Sequence, residues 1–410
     1  MLAISVLLIV FVFLGGFLPG GVRAGSDMSA YQQIEVYSEV LQHIQNDYVV
    51  TPNIPDVTTG ALHGLLEGLD PDSSYLTPAE FKFYQAHKDE STAQIGARIS
   101  KRYGYATVMS VIPGSPADKA GIVDGDVIDE IGDQSTRVMP LQMIRLLLDG
   151  PPGTTVSFSV IEPTSATPDA MKLTRTPAQY PPLHMDEFDN SSIVYLKPYD
   201  LSPNRVEEIL AHLRQVQATG HQKILLDLRD ITDGDMNSAV LLANAFLKSG
   251  TIATLQGQTY PKQTWVAEPK NFVTAAPLIV LVNHGTAGPA EVVAAALKEN
   301  NRGELVGDRT FGSGSVQKQI PLPGGAVLFL SVAKYHAPDG EAIQDKAITP
   351  NVVVAANNNF GLLSPSAVGP VTKPTAPATS KPTPAPEPPA AQPDDQLNKA
   401  LELLKQQKAA

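Results

Sequence analysis

Apolar positions change their spacing several times along the chain, and each change marks a different kind of element. Residues 2–18 (LAISVLLIVFVFLGGFL) form an unbroken apolar run that Pro19-Gly20-Gly21 ends. Over 29–90 the period turns helical. In YQQIEVYSEVLQHIQNDYV, Ile34, Tyr37, Val40 or Leu41, and Ile44 fall on one face, and ALHGLLEGL at 61–69 repeats the pattern. That second pattern runs into Asp70-Pro71-Asp72-Ser73-Ser74-Tyr75-Leu76, which reads as a helix end and an Asp/Ser-capped turn with a structural role.

From 93 to 176 the runs are short and punctuated by glycine. SVIPGSPADKAGIVDGDVIDEIG predicts a strand, a turn at Gly114-Ser115-Pro116-Ala117, a short helix stopped by Gly121, and a strand after Gly125. LQMIRLLLDGPPGTTVSFSVI adds a second helix, a turn over 150–153 and a closing strand. From 183 to 355 strands at 192–196, 223–228 and 277–283 alternate with helices over 203–218 and 289–300. Residues 364–393 are dominated by Pro, Ala, Thr and Ser and predict a semi-extended linker. DDQLNKALELLKQQK at 394–408 predicts one amphipathic helix, marginal alone, that docks on the body or on a partner.

The pattern is that of an α/β multi-domain chain. It divides into a signal peptide or membrane anchor (1–24), an N-terminal helical region (29–90), a small β-rich domain with two helices (93–176), an α/β core (183–355), a linker (364–393) and a terminal helix (394–408). With 43% hydrophobic residues in 410, a sizeable core can be buried. A net charge of −12 with no dense basic cluster argues against nucleic acid. The absence of cysteine excludes disulfides, thiol catalysis and cysteine metal sites. No metal or other cofactor is expected: the carboxylates at 230–235 miss the spacing of a calcium loop. The apolar run and the small-x-small site Val22-Arg23-Ala24 predict export to the periplasm or another extracytoplasmic space, with membrane contact only through the N-terminus.

Residues 277–317, PLIVLVNHGTAGPAEVVAAALKENNRGELVGDRTFGSGSVQ, resemble the catalytic core of the carboxyl-terminal processing peptidases, serine–lysine endopeptidases with a PDZ domain. That family reads roughly G-[ST]-A-S-A-S-E and then F-G-K-G-[ST]-V-Q, with the first serine of S-A-S-E as nucleophile and the lysine as base. On this chain those two positions are Gly288 and Ser313, while Gln317 matches the family's orienting glutamine. Asp70–Leu76 resembles the L-D-P-H-S-S-Y-L signature with Asp72 in place of histidine. The stretch 335–351 resembles the family's closing pattern, so the likeness covers roughly 30–355. The resemblance implies a crotonase-like peptidase fold over 183–355 and a PDZ domain over 93–176.

A serine hydroxyl needs an adjacent base to attack at neutral pH, and a buried lysine can serve. Glycine offers no hydroxyl and serine no useful base. The family's D-L-R-N-N-P-G-G, whose glycine helps form the oxyanion hole, is here Asp227-Leu228-Arg229-Asp230-Ile231-Thr232-Asp233-Gly234-Asp235. Only Gly234 of the glycine pair remains, and three carboxylates are expected to crowd the place where an oxyanion would develop. Thr286, Ser313, Ser315 and His284 are the groups that could rebuild a site; each reads as an ordinary turn residue. A PDZ domain captures a peptide C-terminus by strand addition and by backbone N–H groups in a loop. The family's G-I-G loop corresponds here to Gln94-Ile95-Gly96-Ala97, so Ile95, Gly96 and Ala97 are the peptide-binding candidates.

Two function classes follow. One is an exported, catalytically inactive binder of peptide or protein C-termini, acting as adaptor, regulator or partner of an active paralogous peptidase. The other is an active endopeptidase cleaving near C-termini with a non-standard site. The replacements at Gly288 and Ser313 favour the first.

Overall fold

A computed structural model describes residues 24–163, 165, 167–219, 222–355 and 393–407. The expected signal peptide or anchor and the expected linker lie essentially outside these residues. Among the described residues no helix is long and apolar enough to cross a membrane. The chain falls into two compact units, 1–62 and 63–410. The first holds α1 (Ala24–Asp47), whose stripe residues Ile34, Tyr37 and Val40 are exposed. Helix α2 (Ile54–Glu67) follows.

In the second unit the expected helical region is interrupted. Ser74–Leu76 forms a strand, β1, because Tyr75 and Leu76 pair into a sheet edge and bury Leu76 completely. Helix α3 (Pro78–His87) starts at a reciprocal capping box between Thr77 and Glu80.

The small domain comprises β2 (Ala97–Arg102), β3 (Tyr105–Val111), α4 (Pro116–Lys119), β4 (Val127–Ile131), β5 (Gln134–Ser135), α5 (Leu141–Leu148), β6 (Thr155–Ile161) and β7 (Asp169–Thr174). Its sheet runs β2-β3-β4-β6-β7, with β5 added to β4. Leu141, Ile144 and Leu148 of α5 share a core with Ile99, Val108, Ile128 and Phe158. Phe81 and Tyr84 of α3 pack on the same core.

The larger body comprises β8 (His184–Phe188), β9 (Ile193–Lys197), α6 (Pro203–Thr219), β10 (Lys223–Asp227), α7 (Met236–Phe246), β11 (Thr251–Gln256), β12 (Gln263–Val266), β13 (Leu278–Val282), α8 (Pro289–Glu299), β14 (Glu304–Gly307), β15 (Ser315–Pro321), β16 (Val327–His336) and β17 (Val352–Val353). One sheet is β17-β14-β13-β10-β9-β8, parallel from β9 to β17. Continuous apolar strands such as LIVLV need cover on both faces. On one face lie α6, α7 and α8. On the other lies α9 (Asp395–Gln406), whose Ala400 and Leu404 pack on Ile193, Tyr195, Leu225, Ile279, Leu281 and Val306. The terminal helix thus docks on the body. Lys223 Nζ donates to the Leu404 carbonyl at 2.8 Å, a cation at the C-terminal end of α9, and Arg229 Nη1 donates at 2.9 Å to Asp394, the carboxylate that caps its N-terminus. A second sheet joins β1, β16, β11 and β12, with β15 paired to β16. Trp265 packs on the main core beside Tyr335, as a structural residue would.

Candidate active site

The carboxyl end of β13 meets a tight turn into α8. Thr286 is fully buried there; its hydroxyl donates to the Leu228 carbonyl at 2.9 Å and accepts from the Asn283 N–H at 3.0 Å. Gly288 follows at φ 59°, ψ −119°, a conformation that strains any residue with a Cβ. Pro289 then takes the first helical position, where a missing N–H costs nothing. This is the sharp strand-to-helix turn that holds nucleophiles in many hydrolases, built here with glycine at its corner.

Ser313 lies opposite. A Cβ placed on Gly288 would sit 4.0 Å from the Ser313 carbonyl oxygen, with only Thr232 O, at 3.7 Å, nearer. The position where the resemblance puts the nucleophile therefore lies in van der Waals reach of the backbone at the position where it puts the base. What joins them is Glu291, which is wholly buried. Its carboxylate accepts from Gly288 N (3.0 Å), Ser313 N (2.8 Å), Gly312 N (2.7 Å) and Thr310 Oγ1 (2.5 Å). Burial pushes its pKa up to about 7, against these four hydrogen bonds, which favour the ionised form. As a sequence feature Glu291 reads only as an acidic first-turn residue. Its reach to a loop some twenty positions away is a product of the fold.

The other hydroxyls and the histidine near the site are already engaged. Ser315 Oγ donates to Asp72 at 3.2 Å and accepts from Gln317 Nε2 at 2.7 Å. His284 Nε2 accepts from Arg102 at 2.7 Å, and Nδ1 lies 3.3 Å from the Arg309 carbonyl oxygen. Burial lowers the His284 pKa, and the Arg102 guanidinium lowers it further. That guanidinium also stacks over Phe311 at 4.5 Å. The structure brings none of these hydroxyls against His284.

The 230–235 segment corrects one expectation. Its carboxylates do not crowd an oxyanion position, because each is turned to a partner. Asp230 binds the Asn283 amide at 2.7 Å and lies 3.9 Å from Lys197 Nζ. Asp233 accepts from Arg98 Nε at 2.5 Å and from the Tyr180 hydroxyl. Asp235 caps α7 through Ser238 N at 2.8 Å. Gly234 sits between two backbone bonds to Leu201, Leu201 N to Asp233 O (2.9 Å) and Asp235 N to Leu201 O (3.0 Å). The atom nearest to the missing side chain at 288 is instead the Thr232 carbonyl, an acceptor rather than an oxyanion donor.

The Asp70–Leu76 turn is also more than a local cap. Asp70 accepts from Ser73 Oγ (2.9 Å) and Ser331 Oγ (3.0 Å), and Gln317 Nε2 reaches Ser331 at 3.3 Å. Asp72 is buried beside Ser315 and receives Arg145 Nη2 from α5 at 3.5 Å. Burial raises its pKa and Arg145 opposes the rise. The retained Gln317 therefore belongs to a polar cluster linking this turn to β15 and β16.

Ile95 in the loop before β2 and Ala97 at the start of β2 are buried. The Ile95 and Gly96 carbonyls accept from Ala117 N and Ile112 N, both at 2.8 Å. Gly96 has φ 91°, and a Cβ there would lie 2.2 Å from Ser115 Cβ, so only glycine fits.

A family model for peptidase family S41 matches residues 183–354, and one for the PDZ domain matches 107–162. A carboxyl-terminal-processing protease of Picosynechococcus sp. is 33% identical over 301 residues, 72% of this chain and 72% of its own. The carboxy-terminal processing protease of Bacillus subtilis is 30% identical over 317 residues, 77% of this chain and 67% of its own. The photosystem II D1 C-terminal processing protease has the same fold, with TM-score 0.63 and 23% identity over 78% of this chain and 92% of its own. The facing strand-to-helix turn and loop, the PDZ domain and these likenesses agree: the chain belongs to the carboxyl-terminal-processing proteases of peptidase family S41.

Proposed function

We propose that this chain is an exported, non-hydrolytic member of its family. In this reading it binds the C-termini of peptides or proteins through its PDZ domain, as an adaptor, a regulator or the partner of an active relative. One observation carries it: the nucleophile position is Gly288, which has no side chain, and the base position is Ser313, which has no amine, and the fold brings the two within reach of each other. Without a nucleophile no acyl intermediate forms, and without a base no hydroxyl is activated. The engagement of Thr286, Ser315 and His284 with other partners supports the same view. The apolar run at 2–18 supports export, tested by whether it directs a fused reporter across the cytoplasmic membrane.

The deciding measurement incubates purified protein with a dye-labelled unstructured substrate and follows cleavage and binding together. The substrate is expected to survive and to bind. Turnover that disappears in Thr286→Ala or Ser313→Ala would overturn the reading. The double variant Gly288→Ser/Ser313→Lys is expected to recover little cleavage, since the group nearest to the new side chain is the Thr232 carbonyl, an acceptor where an oxyanion needs a donor. Amidating a bound peptide's C-terminus should cost roughly 1.5–3 kcal/mol, the range for hydrogen bonds to a charged group.

A further inference from the structure

β2 is an edge strand, paired with β3 alone. Its hairpin closes through Tyr103 and Gly104, both at positive φ, which makes Arg102–Tyr105 the first hydrogen-bonded pair. Bonded and non-bonded pairs alternate along an antiparallel ladder. Counting back, Ser100–Thr107 is bonded and Ile99–Val108 is not. Val108 agrees, since its N–H donates to Asp126 O and its carbonyl accepts from Gly125 N, both away from β2. The N–H and C=O of Ile99 therefore point outward, along the edge where an incoming strand would pair.

That edge is not free. Arg145, on α5, donates from both Nε and Nη2 to the Ile99 carbonyl, each at 3.2 Å. Its Nη2 also lies 3.5 Å from buried Asp72, a residue of the body rather than of the PDZ domain. Asp72 is in turn bonded to Ser315, two positions from Ser313. Where the family signature has histidine, this chain has the carboxylate that holds the arginine.

We infer that Arg145 is a latch over the peptide-accepting edge, held shut by Asp72, and that an extended peptide with a free apolar C-terminus binds only by displacing it from Ile99. An added strand needs that carbonyl for one of its own N–H groups, and a doubly donating guanidinium competes for the same lone pairs. This rests on the PDZ-binding reading above.

The test measures anisotropy of a fluorescein-labelled ten-residue peptide ending in Val-Ile-Val, as acid and as amide, against the full chain. Arg145→Met keeps the apolar stem and removes the donors. It should bind the acid about five- to tenfold tighter, a fraction of the range for a charged hydrogen bond because the guanidinium is partly exposed. Asp72→Asn keeps Arg145 but loosens its hold, and should move affinity the same way by less. Should Arg145→Met prove unfolded in a melt, the Asp72→Asn shift decides. Equal affinity in wild type and both variants overturns the latch and leaves the peptide reading intact. Weaker binding by Arg145→Met also overturns it, since the arginine would then be a ligand contact. No binding by any of the three proteins overturns the peptide reading and the latch with it.

Discussion

Two parts of this molecule hold their carboxylates in different ways. Around Gly288 and Ser313, the positions that the resemblance assigns to nucleophile and base, one buried carboxylate, Glu291, gathers Gly288, Gly312, Ser313 and Thr310. Where the PDZ domain meets the body, the carboxylates are held by arginines. Asp233 pairs with Arg98 and Tyr180, and Asp72 with Arg145. The frame at 288 persists because a buried carboxylate with four donors cannot be loosened piecemeal: removing one side leaves buried groups unpaired. The interface residues face fewer constraints and could change singly.

The comparison breaks most readily at Glu291. Glu291→Ala should lower unfolding free energy by about 4 kcal/mol, from four orphaned donors and a cavity. Chemical denaturation reads it directly, and a loss near zero would mean that the frame is not held by this group. A pH series sharpens the same point. The Glu291 pKa is raised in the folded chain, so its contribution is fully present below the unfolded value and is lost as pH rises through about 7. Relative to Glu291→Gln, the wild type should lose roughly 3 kcal/mol between pH 4.5 and pH 8. A flat difference would show that the four hydrogen bonds balance burial, and a gain with pH that they outweigh it.

Deleting 393–410 asks whether a remote surface matters as much as the frame. It uncovers Ile193, Leu225, Ile279 and Leu281, and should cost roughly 2–3 kcal/mol, the burial of one or two large apolar side chains. A melting temperature unchanged by the deletion would mean that α9 does not stabilise the body. The smallest effect is expected at the interface. Asp233→Asn should cost about 1–2 kcal/mol, because Arg98 and Tyr180 keep a weaker acceptor. A loss as large as that of Glu291→Ala would erase the distinction between the two regions.

Strand and helix positions in the body were legible because their periods are unambiguous: LIVLV at 278–282 and the Pro-Ala-Glu start of α8 fall where the pattern puts them. The positions Gly288 and Ser313 were legible too, since motif spacing marks them and the fold brings both backbones to Glu291. The strand at 74–76 was not, because three residues carry too short a pattern to compete with helical surroundings. Nor were the partners of the 230–235 carboxylates. Local sequence gives their charge but not their direction, and Arg98 lies 135 positions from Asp233. The sequence by itself determined the fold class and the family, because each is written in residue type and spacing. Only the tertiary structure decided that Glu291 spans the empty site, that α9 covers the second sheet face, and that Arg145 sits on the edge of β2. Those depend on which distant backbone atoms come within about 3 Å, the distance at which hydrogen bonds form.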